Sequence, residues 1–325
     1  MPRRIGAAAA LALAIVGMLS GAGCGRPFAE GGSRELTVIT AWAPGSPELL
    51  LLQAIVAREA IRIESEAAYV VTIASPADAR AYRARNVLLA GAGPLDRVPR
   101  PCRRLADLLA RAPEPFAFTT DLWLRGQSAG IVWTRDPADW IAAVSASQNQ
   151  LFHALDRATY ITVRSRLKAQ PRDAQVEQRL EDSLGVHLDV PRGYALRIDR
   201  AARAALLIEE GPPTRLLRFS EAPRDSAGGL LHARSALARL FRPDEGTLDL
   251  EDPALSSAEL GGQAAQWNGR WQDERVTAAG PFRAYLIDRR GHRYLVDLAV
   301  FAPGRPKLPY LRELTAVAET LEPSP

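Results

Sequence analysis

A serine in the first half of the chain lies in a pattern that is typical of hydrolytic enzymes. Residues 126–130 read Gly-Gln-Ser-Ala-Gly and match Gly-x-Ser-x-Gly, in which the serine occupies a sharp turn between a strand and a helix. Here Ile131-Val132-Trp133-Thr134 follow, and β-branched and aromatic residues favour a strand. We therefore expect a strand, a bend and a second strand around Ser128. An exported hydrolase that uses Ser128 or a pair of carboxylates remains the alternative function.

The acidic residues and the histidines show no spacing that indicates a metal site. Glu209-Glu210 and the acidic run within 249–252 could supply paired carboxylates for glycoside hydrolysis, but such runs in polar loops are usually solvated. His187 and Asp189 would face the same side of one strand, which we interpret as a surface ion pair. We therefore assign no catalytic residue, and we expect neither a metal ion nor a cofactor.

Aromatic residues near the C terminus are the strongest candidates for a binding site. Trp267, Trp271 and Phe282 lie close together in a chain with only 6% aromatic residues. They could form a wedge in the core under a final hairpin, or a groove that stacks a sugar, a peptide or a lipid chain with Arg270 as polar partner. We expect Trp271 to pack in the core and Trp267 or Phe282 to line the groove. Gln127 is a further candidate for binding.

The elements that position these residues indicate an α+β fold with mixed or antiparallel sheets and covering helices. Strands and helices alternate up to about residue 168, whereas hairpins dominate later. A break at 169–173 separates an N-terminal half (35–168) from a C-terminal half (174–322). Two similar halves are one interpretation, although no sequence repeat supports it.

Individual elements follow from local signals. A helix is expected from Pro47 to about residue 63, and another over 174–184 that Gly185 closes. The clearest pair of strands is 282–287 and 294–301, joined by a turn at the intervening residues. The stretch 243–262 is polar and weakly periodic.

The N terminus predicts export and a lipid anchor. Residues 1–23 combine two arginines, about 15 apolar residues and a run of small residues before Cys24, which is typical of a signal peptide and too short to span a bilayer. We expect a lipid on Cys24 and a flexible tether over 24–34, so the membrane is a predicted partner. Ordinary cleavage after residues 21–23 is the alternative.

Composition limits the other classes of partner. The chain is 47% hydrophobic and carries a net charge of +4, or +2 once Arg3 and Arg4 are removed with the signal. This near-neutral charge argues against nucleic acid as a partner. Cys102 has no intramolecular disulfide partner if Cys24 carries a lipid.

Several motifs resemble one protein family. They include residues 184–194, Gly269-Arg270-Trp271, Gly280-Pro281-Phe282 and Phe301-Ala302-Pro303-Gly304. Together they resemble the uncharacterised bacterial lipoproteins grouped as domain of unknown function 4837 (DUF4837), over about residues 35–322. The family tends to have a tryptophan-rich strand where this chain has Ala-Leu-Leu-Ile at 205–208. The resemblance implies an exported lipoprotein and brings no known activity.

These observations together predict a non-catalytic, lipid-anchored protein of the cell envelope that faces the periplasm. It would bind a partner protein or an envelope component through the face near Trp271 and Phe282. Gly25, rather than an aspartate, follows Cys24 and favours the outer membrane.

Overall fold

The structure is a computed structural model that describes residues 26–61, 65–222, 230–250, 265–273, 275 and 277–324. The predicted signal peptide, Cys24, Glu251 and Asp252 lie outside these residues. The strands of the described part are β1 (Glu35–Ile39), β2 (Glu59–Ile61), β3 (Glu66–Ala67), β4 (Val70–Ala74), β5 (Asn86–Ala92), β6 (Phe116–Thr120), β7 (Ser128–Thr134), β8 (Val186–His187), β9 (Ala195–Asp199), β10 (Ala204–Glu209), β11 (Thr214–Glu221), β12 (Glu245–Leu250), β13 (Ala265–Asp273), β14 (Ala278–Arg289), β15 (His292–Phe301) and β16 (Glu322–Pro323). The α-helices of that part are α1 (Pro47–Val56), α2 (Arg103–Leu109), α3 (Trp140–Ala146), α4 (Gln148–Lys168), α5 (Ala174–Leu184), α6 (Leu230–Phe241) and α7 (Leu308–Ala318).

The first sheet has five strands in the order β4–β1–β5–β7–β6. The first four are parallel, and β6 lies antiparallel to β7 at one edge. The central strands β5 and β7 are almost wholly buried, because helices cover both faces of the sheet. Helices α1, α3 and α4 lie on one face and α2 lies on the other.

The second sheet has seven antiparallel strands in the order β12–β13–β14–β15–β11–β10–β9. The predicted hairpin is confirmed as β14 and β15, which meet at the pair Arg289 and His292. Arg290 and Gly291 form its turn with φ of 47° and 86°. Two positive φ values match the right-handed twist of the strands that the turn joins.

Helices α4 and α7 pack against each other between the two sheets, and α6 covers the outer face of the second sheet. The largest apolar core contains Val38 of the first sheet and Val296 of the second. The Glu66 carboxylate also accepts bonds from the backbone N–H groups of Lys307 and Leu308, at 2.8 and 3.0 Å, where α7 begins. Each sheet thus lies within one predicted half, and both halves share one core.

The α+β class is confirmed, and so is helix α5 with Gly185 at φ 66° as its C-terminal cap. The helix predicted to reach residue 63 instead ends at Val56, and the short strand β2 follows. Strands β12 and β13 were not predicted. Their buried residues include Glu245 and Asp273, which form ion pairs, so the sequence of these strands lacks an apolar alternation.

Candidate functional site

The serine motif lies at the buried start of β7. Ser128 is fully buried, and its Oγ has no hydrogen-bond partner within the described residues. A strand continues from it, as the sequence predicts. Gln127 is buried too: its Nε2 donates to the carbonyls of Tyr82 and Ala84, and its Oε1 accepts from the Trp123 N–H at 3.1 Å. These contacts fix the chain before β7, and neither side chain is open to a ligand.

The aromatic candidates lie on the face of the second sheet that α6 covers. Trp271 is fully buried, as expected, but Phe282 is also buried, with 1% of its surface exposed, although a groove position was expected for it. Alternation along β14 carries Phe282 inward with the apolar residues beside it. Trp267 is half-buried next to Leu237 of α6, and Arg270 is half-buried as well. A role of these four residues in binding stays a prediction.

Phe282 and Trp271 do contact cations, but the cations belong to the same chain. The Arg234 guanidinium lies 4.1 Å from the centre of the Phe282 ring, and that of Arg242 lies 5.5 Å from the Trp271 ring. A cation over an aromatic face is stabilising, more so when both groups are out of water. The rings therefore support arginines of the α6 region and contribute to packing.

Arg234 belongs to a buried charge cluster of Arg218, Arg234, Glu245 and Asp297. Each arginine contacts both carboxylates, and all four side chains are at most 1% exposed. Nη2 of Arg234 lies 2.7 Å from Glu245, and Nη1 of Arg218 lies 2.5 Å from Asp297. The cluster is neutral as a whole. It joins α6 to β11, β12 and β15, and its groups are turned toward each other, so it is structural.

An open groove lies at the other end of the molecule, between the edge strand β6 and helix α4. Its volume is about 470 Å³, within the usual size of ligand sites. Helix α4 lines it with Ala154, Arg157, Ala158 and Ile161, whose spacing of three and four residues places them on one face of the helix. We call this the β6–α4 groove.

The backbone of β6 has one free side. The carbonyl of Pro115 accepts from the Trp133 N–H, and the Asp121 N–H donates to the Gln127 carbonyl. In an antiparallel pair such bonds recur at every second residue. The backbone groups of residues 116, 118 and 120 therefore point away from β7. Among the described strands only β7 pairs with β6.

The floor of the groove is apolar and its rim is cationic. Phe118 is half-buried with its ring over Gly130, where a Cβ would lie 2.3 Å from that ring. Ile161 is 42% exposed. Among the described residues, Arg157 is the one charged side chain that lines the groove, and it is exposed. No catalytic motif marks this groove in the sequence. The available signal was the stripe of residues along α4.

The fold and these sites define an α+β protein in which the two large sheets of the described residues share one core. The resemblance to DUF4837 is confirmed: the model of the family described as "Domain of unknown function (DUF4837)" matches residues 249–320. The match spans β13, β14, β15 and the whole of α7. No curated protein sequence matches the chain.

Several solved structures, including the following three, are similar to part of the chain. The Ran-binding protein Mog1p of Saccharomyces cerevisiae is 9% identical, with 43% of this chain and 90% of that chain covered and a TM-score of 0.30. LpqN of Mycobacterium tuberculosis, described as involved in cell envelope biogenesis, is 18% identical, with 43% and 83% covered and a TM-score of 0.26. A protein of Bacteroides thetaiotaomicron VPI-5482 is 8% identical, with 43% and 46% covered and a TM-score of 0.24. At these TM-scores the similarities carry no functional argument.

Within the part of the chain that the structure describes, no helix combines the length and the apolar composition that crossing a bilayer requires. The same residues contain no group of three or more histidine, cysteine or acidic side chains that could hold a metal ion.

Proposed function

We propose that the protein is an exported, lipid-anchored binding protein that holds an extended segment of a partner protein along β6. The observation that carries this proposal is the β6–α4 groove beside a free strand edge. An extended peptide that joins such an edge gains backbone hydrogen bonds, and its alternate side chains enter the adjoining groove. The partner segment would form these hydrogen bonds with the outward backbone groups of residues 116, 118 and 120.

The lining of the groove indicates the chemistry of the segment. An apolar side chain of the ligand would contact Phe118 and Ile161, which are both accessible there. An acidic side chain would meet Arg157, because no carboxylate of the described part of the chain lines the groove and opposite charges at a rim favour encounter. The proposed ligand is thus an extended segment with apolar and acidic residues.

The cellular setting of the proposal rests on the N terminus. A lipid on Cys24 would hold the domain at a membrane of the cell envelope, on the periplasmic side. Mass spectrometry of the mature N terminus tests this: we expect a lipid-modified Cys24, and a Cys24→Ala variant that no longer partitions into detergent. An unmodified cysteine, or cleavage elsewhere, contradicts the anchor.

The binding activity can be tested with a random peptide library displayed on phage and panned against the mature chain. We expect the selected peptides to contain acidic and apolar residues. Thr120→Pro removes an outward N–H without removing a bond to β7, so calorimetry should show about tenfold or greater loss of affinity, whereas Thr120→Ala keeps that N–H and most of the affinity.

The contribution of the Arg157 charge to peptide binding is tested separately. Arg157→Glu should weaken binding of the acidic peptides, and Arg179→Glu, an exposed arginine on α5, should leave it unchanged. Peptides that bind Thr120→Pro as tightly as the unchanged protein would show that the β6 edge is not the site. A panning that enriches no peptide would contradict the proposed function itself.

A further inference from the structure

The first described residues lie against the body of the protein. The Ala29 N–H donates to the Arg125 carbonyl at 2.9 Å, and the Arg125 N–H donates to the Pro27 carbonyl at 3.0 Å. Nη1 of Arg26 donates to the Asp121 carbonyl at 3.0 Å. The segment predicted as a tether up to residue 34 is thus attached from Arg26 onward.

This attachment leaves a large apolar ring on the surface. Phe28 is 54% exposed, and the Arg125 guanidinium lies 4.8 Å from the centre of its ring. A Cβ added at Gly126 would lie within 3.9 Å of both Phe28 and Arg166, so these side chains are neighbours. We call Arg26, Phe28, Arg125 and Arg166 the Phe28 patch.

The Phe28 patch carries a positive charge. Within the described part of the chain its three arginines form no ion pair. The nearby carboxylates are Glu30, which pairs with Arg83 at 2.5 Å, Asp121, whose Oδ1 accepts from the Gly126 N–H, and Glu313, which interacts with Arg166 but pairs with Arg215. The patch therefore combines one exposed aromatic ring with an excess of arginines over carboxylates, the composition of surfaces that bind at the interface of anionic membranes.

The Phe28 patch lies close along the chain to Cys24, the predicted site of the lipid anchor. Cys24 precedes Arg26 by two residues, and two residues span at most about 7 Å. We propose that the Phe28 patch rests on an anionic lipid surface, with Phe28 inserted between headgroups. This inference rests on the proposed function, because it requires the lipid on Cys24. It also places the Thr120 end of the β6–α4 groove next to the membrane, since Asp121 contacts Arg26.

The test uses the full-length lipoprotein purified from bacterial membranes, with an environment-sensitive fluorophore on Phe28→Cys. Leu50→Cys is the matched control, because Leu50 on α1 is also 54% exposed, and Cys102 is buried and protected from the label. The protein is placed in phosphatidylglycerol-containing vesicles that carry a lipid-bound nitroxide quencher. We expect a shift of emission to shorter wavelength and quenching at position 28, and neither at position 50.

Two further comparisons change the charge of the Phe28 patch and the lipid composition of the vesicles. Arg125→Glu combined with Arg166→Glu should reduce the quenching at position 28 by about half or more, and Arg179→Glu should not change it. Equal quenching at positions 28 and 50 in a lipidated protein would overturn the inference and leave the proposed function standing. Quenching that is as strong in pure phosphatidylcholine would exclude anionic lipid as the partner. An unmodified Cys24 would overturn this inference together with the lipid anchor, whereas the peptide panning tests binding at the β6–α4 groove independently.

Discussion

Arg218 on β11 and Asp297 on β15 lie directly opposite each other on neighbouring strands of the second sheet. Both side chains are fully buried, and Nη1 of Arg218 lies 2.5 Å from Oδ2 of Asp297. Apolar neighbours surround them along each strand, so the two charges have no access to water. Arg234 also donates to Asp297, and Glu245 accepts from Arg218, while Nε of Arg218 has no hydrogen-bond partner among the described residues. A buried charge is tolerated when it is paired in this way, and becomes costly when its partner is removed.

Asp297→Leu should therefore strongly destabilise the protein. It leaves Arg218 and Arg234 buried with Glu245 as their one remaining acidic partner in the cluster. The free energy of unfolding should fall by about 3–5 kcal/mol, which equilibrium denaturation in urea measures.

The matched control removes both members of the pair. Arg218→Met combined with Asp297→Leu keeps Arg234 and Glu245 as a neutral pair and replaces the other two charges by apolar side chains of similar length. This double variant should be more stable than Asp297→Leu alone, as found when buried ion pairs are replaced by apolar groups. A double variant less stable than the single one would mean that the pair itself stabilises the fold.

The charge cluster also shows where prediction from sequence ends. The hairpin of β14 and β15 was predictable, because Phe282, Ala284 and Leu286 alternate with residues that face α7. Strands β12 and β13 were not, because part of their buried face is ionic and hydropathy cannot distinguish a buried ion pair from an exposed one. Arg218 in the middle of an apolar strand was the available signal, but its partner Glu245 is 27 residues away.

Trp271 and Trp267 should differ in their contribution to stability. Trp271 is fully buried against Phe301, with ring centres 6.5 Å apart, whereas Trp267 is half-buried. Trp271→Ala should cost about 3–5 kcal/mol, and Trp267→Ala clearly less. Urea denaturation of the two variants decides this. A Trp271→Ala protein as stable as the unchanged one would mean that the ring does not belong to the core.

Gly280 should not tolerate a side chain, although it lies within β14. A Cβ there would lie 2.0 Å from the backbone carbonyl oxygen of Val300, and backbone cannot move aside as a flexible side chain can. Gly280→Ala should destabilise by about 1–3 kcal/mol through overpacking. No atom of the described residues lies within 4 Å of a Cβ added at Gly246 on β12, so Gly246→Ala is the matched control and should leave the melting temperature nearly unchanged.

The β6–α4 groove shows a second limit of prediction from sequence. The strands at 116–120 and 128–134 and the long helix were predictable from their own residues. Two features of the groove depend on the order of strands in the sheet. One is that β6 lies at the edge, and the other is that Ile161 is exposed beside it. Strand order is set by contacts between distant segments, which a single sequence does not display. The sequence therefore directed attention to Trp271 and Phe282, which carry more local signal.

Asp156 on α4 should make the stability of the protein depend on pH. Burial alone raises the pKa of this carboxyl, but the charges of Arg312 and Arg283, with hydrogen bonds from Arg312 and Tyr69, hold its pKa below the usual value. The folded protein then binds this proton more weakly than the unfolded chain does. Asp156 therefore stabilises the fold above the unfolded pKa of about 3.9, and this contribution is lost as the pH falls through the folded pKa.

Asp156→Asn should lower the free energy of unfolding at pH 7 by an amount between the ~1 kcal/mol of an exposed pair and the ~3–5 kcal/mol of a buried one, because the Asp156 side chain is 21% exposed. The difference from the unchanged protein should shrink as the pH falls below about 4. Urea denaturation at a series of pH values measures both effects. Asp107→Asn, at an exposed position on α2, is the control and should show neither. A difference that stays constant down to acid pH would mean that the Asp156 carboxylate, as a charge, does not stabilise the contact between α4 and α7.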